Sequence, residues 1–239
     1  MFIEKGFFVG ANDISFDLYI KDKAILKYLE EIAGYHSNLV GYGLNDIEKT
    51  NITWLVLGWK VEIIRRPKYC EEFTIKTWCK TLNRLYSKRD FEIKDTDGNI
   101  IIKATSKWLM INTKTREISK IPEEVSLSYG EETLDVFENN SNFKFKEPNQ
   151  MQKVLEFIIP EELIDFNQHV HNTDYIDLAK KTMPKELANQ KFNNFEIMYK
   201  KEIKLGEKIN LYYEKEDNMD SIIIKSDDNK ILHAIIKFY

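Results

Sequence analysis

Ile100-Ile101-Ile102-Lys103-Ala104-Thr105-Ser106-Lys107-Trp108-Leu109-Met110-Ile111 decides the fold class. Ile100, Ile102, Ala104, Ser106, Trp108 and Met110 alternate onto one side of an extended chain, a period of two that fits a half-buried strand and not a helix. Asp97-Gly98 just before it signals a tight hairpin, so Lys88 to Lys94 is expected to pair with it antiparallel. Working back towards the start, Phe73 to Lys80 and Trp54 to Ile64 read as further strands, as do Phe2 to Val9 and a short piece near Phe16 to Ile20. One helix interrupts them. From Lys23 to Val40 the residues Ile25, Leu26, Leu29, Ile32, Ala33, His36 and Val40 recur at helical spacing, with Asp22 as the expected N-cap and Gly41 as the stop.

The second half repeats the plan. Val154 to Ile159 is expected to be a strand and Thr173 to Met183 a helix. Phe195 to Ile203, Lys208 to Glu214, Ser221 to Lys225 and Ile231 to Tyr239 are expected to be four more strands. Between the halves, Glu138 to Gln150 is rich in Asn, Ser, Lys and Glu, holds Pro148, and is expected to be a linker outside any core. Each half then forms an antiparallel sheet that wraps one helix, an α+β arrangement, and pairing the two sheets edge to edge would remove exposed strand edges.

Composition narrows the function classes. The 239 residues suffice for one large or two small fused domains. Two cysteines, Cys70 and Cys79, and no charged start leading into an apolar stretch point to a reducing cytoplasm without a disulfide framework. No apolar run approaches membrane-spanning length, so no membrane association is expected. A formal net charge of -4 argues against nucleic acid as a partner, leaving only the local doublets Arg65-Arg66, Lys88-Arg89, Lys180-Lys181 and Lys200-Lys201.

Chemistry is expected at Asp165-Phe166-Asn167-Gln168-His169-Val170-His171-Asn172, which packs a carboxylate, imidazoles and carboxamides just ahead of a helix start. Unpaired N–H groups and the positive end of the macrodipole there would hold a developing oxyanion. Taken alone, such a segment more often caps a helix with its Asx side chains. His169 and His171 form a weak metal motif without a matching Cys or carboxylate cluster, and no metal site is expected. His36 reads as a partly buried packing residue, His233 as a surface residue, and the two cysteines as inert.

Several motifs, in order along nearly the whole chain, give this sequence a family resemblance. They are Arg66-Pro67, Ile75-Lys76-Thr77-Trp78, Arg89-Asp90-Phe91-Glu92-Ile93 followed by Asp97-Gly98, Ala104-Thr105-Ser106-Lys107-Trp108, Ile121-Pro122, the Asp165 segment through Tyr175, and Tyr199-Lys200-Lys201-Glu202. The sequence resembles the acyl-(acyl carrier protein) thioesterases, whose fold is a tandem pair of hot dog domains. The resemblance implies a first domain over 1–137, a linker over 138–150 and a second domain over 151–239. It also implies hydrolysis of fatty acyl thioesters on acyl carrier protein, releasing free fatty acid and ending chain elongation. The family's Asp-x-Asn-x-His pattern falls on Asp165, Asn167 and His169 and its later Glu on Glu202. Its Cys position is Ile203, which excludes a cysteine nucleophile here, and His171 stands where the family usually has Asn.

On that resemblance, Glu202 or His169 would deprotonate a water, Asn167 and N–H groups near Asn172 would hold the carbonyl oxygen, and Asp165 would orient its neighbours. A rival route makes Asp165 the nucleophile through an acyl anhydride. Neither needs a metal or an organic cofactor. Trp54, Leu57, Trp59, Trp78 and Trp108 are candidate linings of an acyl slot between helix and sheet of the first half, and equally candidate core residues. Arg65-Arg66 and Lys200-Lys201 are candidate contacts for the acidic carrier protein. Other classes are an acyl-coenzyme A thioesterase or hydratase of the same fold, and a non-catalytic acyl-binding protein. The strand pattern beginning at Phe2 leaves no room for a plant-type transit segment, so a bacterial-style cytosolic enzyme is expected, as a monomer or homodimer.

Overall fold

In the computed structural model, which describes residues 1–138, 143–148 and 150–239, the chain divides into two compact units, Met1–Asn142 and Phe143–Tyr239. The first runs β1 (Phe2–Phe8), α1 (Asp22–Leu39), α2 (Ile47–Thr50), β2 (Ile52–Ile63), β3 (Glu72–Leu82), β4 (Ser87–Asp95), β5 (Ile100–Asn112), β6 (Ile118–Ser119) and α3 (Glu123–Tyr129). Its strands lie in the order β1-β3-β4-β5-β2, all antiparallel, with β6 against β5. Helix α1 presents Ile25, Leu26, Leu29 and Ile32 to the sheet with no exposed surface left; each such side chain contributes about 1.5–3 kcal/mol of burial. Gly41, with φ +81°, ends that helix as expected.

The second unit runs β7 (Gln152–Ile158), α4 (Asp174–Thr182), α5 (Lys185–Ala188), β8 (Asn194–Tyr199), β9 (Lys208–Glu216), β10 (Met219–Ser226) and β11 (Leu232–Phe238). Its strand order β7-β9-β10-β11-β8 repeats that of the first unit element for element. Helix α4 is only nine residues long, too short to hold itself together, and it is fixed by packing Tyr175, Ile176, Leu178 and Ala179 against β9, β10 and β11. A sheet wrapped round one helix, twice, is the tandem hot dog arrangement.

Four local expectations change. Phe16 to Ile20 is no strand: Leu18 has φ +66°, and the segment is a turn closed by single bridges, Ile14 to Ile20 and Tyr19 to Lys68. Asp22 does not cap α1; Lys21 is the N-cap, and the Asp22 carboxylate accepts from Arg66 instead, Oδ1 to Nη2 2.6 Å. Strand β8 stops at Tyr199, so Glu202 lies on the turn beyond it. Of the expected linker, 139–142 and 149 lie outside the described residues, but Phe143 is buried and Phe145 packs on the Met198, Tyr212, Ile223 and Ile235 cluster, so this stretch does supply core to the second unit.

Candidate active site

The Asp165 segment is a tight turn built on its own polar groups. The Asp165 N–H donates to the His169 carbonyl (2.9 Å) and the Gln168 N–H to the Asp165 carbonyl (3.0 Å), with Gln168 at φ +67°. Asp165 Oδ1 accepts the N–H groups of Asn167 (2.8 Å) and His169 (3.5 Å), while Asn167 Nδ2 donates to Oδ2 at 3.4 Å. The carboxylate therefore holds the Asn167 carboxamide in place and leaves it a second N–H to donate.

Beyond the turn the chain lies against the segment after β8. The Val170 N–H donates to the Ile203 carbonyl (2.9 Å) and His169 bridges to Lys204. That register sets His169 Nε2 3.4 Å from Glu202 Oε1, with both side chains partly open to solvent, at 20% and 34% exposure. A water reaching either is within reach of a base. Lys201 Nζ stands 4.0 Å from the same Glu202 oxygen.

Beneath the pair lies Tyr175. Burial, reinforced by the Glu202, Glu207 and Asp165 carboxylates, pushes its hydroxyl well above the ordinary tyrosine range, so it stays protonated. It packs edge to face on Tyr199 at 5.2 Å, and the Tyr199 hydroxyl donates to the Asn172 carbonyl at 2.8 Å. Two N–H groups at the helix start are engaged: that of Thr173 donates to His171 Nδ1 (3.4 Å) and that of Asp174 to the His171 carbonyl (2.9 Å). His171 thus braces the entry to the helix, whose N-cap is Thr173, and these two N–H groups are not open to an oxyanion. The Asn167 carboxamide remains for that task. Among the described residues no group of three or more His, Cys, Asp or Glu is placed to hold a metal.

His233 is buried, not a surface residue. His233 to Ile236 are all buried, so both faces of β11 are covered and the polar alternation around it misleads. Its Nδ1 meets the Lys201 carbonyl at 3.0 Å, while its own carbonyl accepts the N–H groups of Lys200 (2.8 Å) and Lys201 (3.3 Å). A carbonyl can only accept, so Nδ1 carries the proton. His233 clamps the residue next to Glu202. The sequence reading missed it along with Tyr199, whose role emerges only when β8 is set beside α4.

The first unit contains the same turn without the same side chains. Ile20 N–H donates to the Pro67 carbonyl as Val170 does to Ile203; Lys68 N–H donates to Glu71 Oε2 as Lys204 does to Glu207 Oε2, both at 3.0 Å. Leu18 and Gln168 share a left-handed φ, as do Cys70 and Gly206. Under this matching, Ser15, Asp17, Tyr19 and Arg66 occupy the places of Asp165, Asn167, His169 and Glu202. Polar residues recur at the first two places because the turn needs them, Asp17 Oδ1 accepting from Ser15 Oγ (2.9 Å) and Tyr19 N–H (3.2 Å). The imidazole and the glutamate do not recur. Ile101 likewise stands where His233 does, accepting the N–H groups of Ile64 and Arg65. The backbone does not require His169, Glu202 or His233.

Of the aromatic candidates in the first unit, Trp59 and Trp108 meet edge to face at 5.9 Å and Trp54 packs on Tyr129 at 5.9 Å. The strand registers put these three on the sheet face towards α1. Leu57 falls in the bulge between Val56 and Gly58. Trp78 belongs to the opposite face: it pairs with Asp90, and its Nε1 donates to the Leu134 carbonyl, 3.1 Å. Strand alternation therefore excludes it from a slot beneath α1. Of the basic doublets, Arg66 is buried against Asp22, which removes it from the surface, while the exposed Arg65 is paired with Glu71 (2.6 Å) and Asp95 (3.1 Å). Lys200 and Lys201 are exposed.

Comparison with known proteins gives the family. Residues 2–129 match the acyl-ACP thioesterase N-terminal domain and residues 146–238 the acyl-ACP thioesterase C-terminal domain. An oleoyl-acyl carrier protein thioesterase of Coriandrum sativum is 27% identical over 91% of this chain and 60% of its own length. A dodecanoyl-[acyl-carrier-protein] hydrolase of Cinnamomum camphora is 28% identical over 75% of this chain and 50% of its own. The chain thus spans between half and two-thirds of the length of these curated relatives. Among solved structures, an acyl-ACP thioesterase of Bacteroides thetaiotaomicron superposes with a TM-score of 0.87 at 24% identity, covering 99% of this chain and 96% of that one. A 12:0-ACP thioesterase of Umbellularia californica gives 0.81 at 19% identity, covering 99% and 96%. With both halves matched in order, this chain belongs to the acyl-ACP thioesterase family.

Proposed function

We propose that this protein hydrolyses fatty acyl thioesters carried by acyl carrier protein, releasing free fatty acid and ending chain elongation. The observation that carries the reading is the His169–Glu202 pair, 3.4 Å apart, at a place where the first unit manages the same backbone with Tyr19 and Arg66. A water held between imidazole and carboxylate loses a proton to the pair as it attacks the thioester carbonyl. The oxygen of the tetrahedral intermediate is met by the free N–H of the Asn167 carboxamide, which Asp165 holds from behind. Collapse expels the pantetheine sulfur, and the proton taken from water returns to it as the thiol. No step calls for a metal or organic cofactor. Asp165 is ill suited to act as nucleophile, because both its oxygens accept hydrogen bonds within the turn.

In this reading 1–137 and 151–239 form the bodies of the two hot dog domains, and 138–150, which joins them, lends Phe143 and Phe145 to the second. The acyl chain lies in the first, against Trp54, Trp59 and Trp108, and the carrier protein is met by exposed lysines, Lys200 and Lys201, beside Glu202. The test is fatty acid release from acyl carrier proteins of graded chain length, with matched coenzyme A thioesters in parallel. Preference for the carrier protein is expected; equal or faster turnover of coenzyme A thioesters would move the protein to another thioesterase class.

A further inference from the structure

Arg89 is a cation inside the first unit that, among the described residues, has no carboxylate in contact with it. It is 4% exposed. Its contacts are His36 Nδ1 (2.9 Å), Thr77 Oγ1 (3.3 Å), Cys79 Sγ (3.3 Å) and the face of Tyr129 at 5.5 Å; none is an anion, and the sulfur is a weak acceptor. A guanidinium has five N–H groups, of which three are met here among the described residues. His36, with no exposed surface, faces an arginine N–H through Nδ1 and must accept there, which puts its own proton on Nε2; Nε2 has no partner. Burial and the Arg89 charge both hold His36 in this neutral form. Buried donors without acceptors are costly and seldom left idle.

The position matters as much as the chemistry. In the strand registers Arg89 stands opposite Ser106 and Ser106 opposite Trp59, so the guanidinium shares the α1-facing side of the sheet with Trp54, Trp59 and Trp108. Trp59, fully buried, also has an indole N–H without a partner. An apolar lining suits a plain hydrocarbon chain; a lining that contains a guanidinium without a carboxylate beside it among the described residues and two unpaired ring N–H groups suits a chain that brings oxygen with it.

We propose that Arg89 and His36 form a recognition site for an oxygen acceptor on the acyl chain, so that this enzyme selects chains bearing a hydroxyl, oxo or second carboxyl group over unsubstituted ones. The inference rests on the reading that the first unit receives the acyl chain. A charge-assisted hydrogen bond from a desolvated guanidinium is worth roughly tenfold or more in affinity.

The experiment is a titration of the whole protein, followed by tryptophan fluorescence. The ligands are unsubstituted fatty acids, their terminal-hydroxy counterparts and their dicarboxylic counterparts across a series of chain lengths. At the best-fitting length the oxygenated acids are expected to bind about tenfold tighter. Arg89→Met is expected to abolish the difference, and His36→Phe to reduce it. Removing a buried charge that no carboxylate contacts among the described residues should leave the fold intact, which a thermal melt checks. Tighter binding of the plain acid at every length, or a preference that survives Arg89→Met, would overturn the proposal. The binding readout separates it from hydrolysis: a preference without turnover sinks the thioesterase reading and keeps this site, whereas turnover without a preference does the reverse.

Discussion

Glu202 and Arg66 stand at the same place in the two units, each one residue before a carbonyl that accepts an N–H from the end of the polar turn, Ile203 from Val170 and Pro67 from Ile20. One side chain turns to an imidazole 3.4 Å away and stays partly open to water; the other is buried in an ion pair with Asp22, Nη2 to Oδ1 2.6 Å. The first unit thus acts as an internal control. What both turns share belongs to folding, and what only the second has is free to serve chemistry.

His169→Ala and Glu202→Ala should each lower kcat by roughly 10²- to 10⁴-fold, the range of a positioned general base. Thermal stability should change little, because the first unit closes the same turn without either side chain. A large drop in melting temperature in step with the lost activity would instead make the pair structural.

Asp165→Asn should retain turnover within about tenfold, because an amide oxygen still accepts the Asn167 and His169 N–H groups and only the 3.4 Å contact to the Asn167 carboxamide loses its acceptor. Asp165→Ala removes those acceptors and should cost more activity together with about 1 kcal/mol of stability. Single-turnover hydrolysis in labelled water is the sharper check: label appearing in the Asp165 side chain would revive the anhydride route.

Arg66→Leu should destabilise the protein by about 3–5 kcal/mol, because it removes the guanidinium paired with the Asp22 carboxylate, whose side chain is 1% exposed. Denaturant unfolding gives the number. Arg66→Leu combined with Asp22→Leu should recover much of the loss, since no buried charge is then left unpaired.

Stability should fall on mild acidification because of His36. Burial first, and Arg89 second, lower its pKa in the folded protein from 6.5 to about 3. The unfolded chain therefore takes up a proton below pH 6.5 that the folded chain refuses. The contribution is complete above that pH and is lost as the pH falls towards 3, at roughly 1.4 kcal/mol per pH unit. Unfolding free energies between the ordinary histidine range and about pH 5, above most carboxylates, isolate the slope; His36→Gln should flatten it.

Period-two alternation made β5 and its hairpin legible, and the helical spacing from Ile25 to Val40 made α1 legible, because in both a single residue pattern maps onto one covered face. The repeat of one helix and its strands was visible for the same reason. Phe16 to Ile20 misled because its apolar spacing resembles a strand while Leu18 adopts a left-handed φ that only the turn's hydrogen bonds explain. Phe143 and Phe145 were lost in a polar setting that hid two packed rings. At the site, the Asp165 segment declared itself through composition and family pattern. His233 and Tyr199 did not, because their parts depend on which strand lies beside which. Arg66 and Glu202 look equally ordinary as charged residues near strand ends, and only burial separates an ion pair from an accessible base.

The most direct measurement is free fatty acid released from acyl carrier protein thioesters by the wild-type protein and by Glu202→Gln, in single turnover, with folding of both checked by thermal melt. Rapid release by the wild type and a rate at least about a hundredfold slower in a fully folded Glu202→Gln is the predicted result. Equal rates in the two proteins, or no release by either while acyl chains remain bound, would contradict the account.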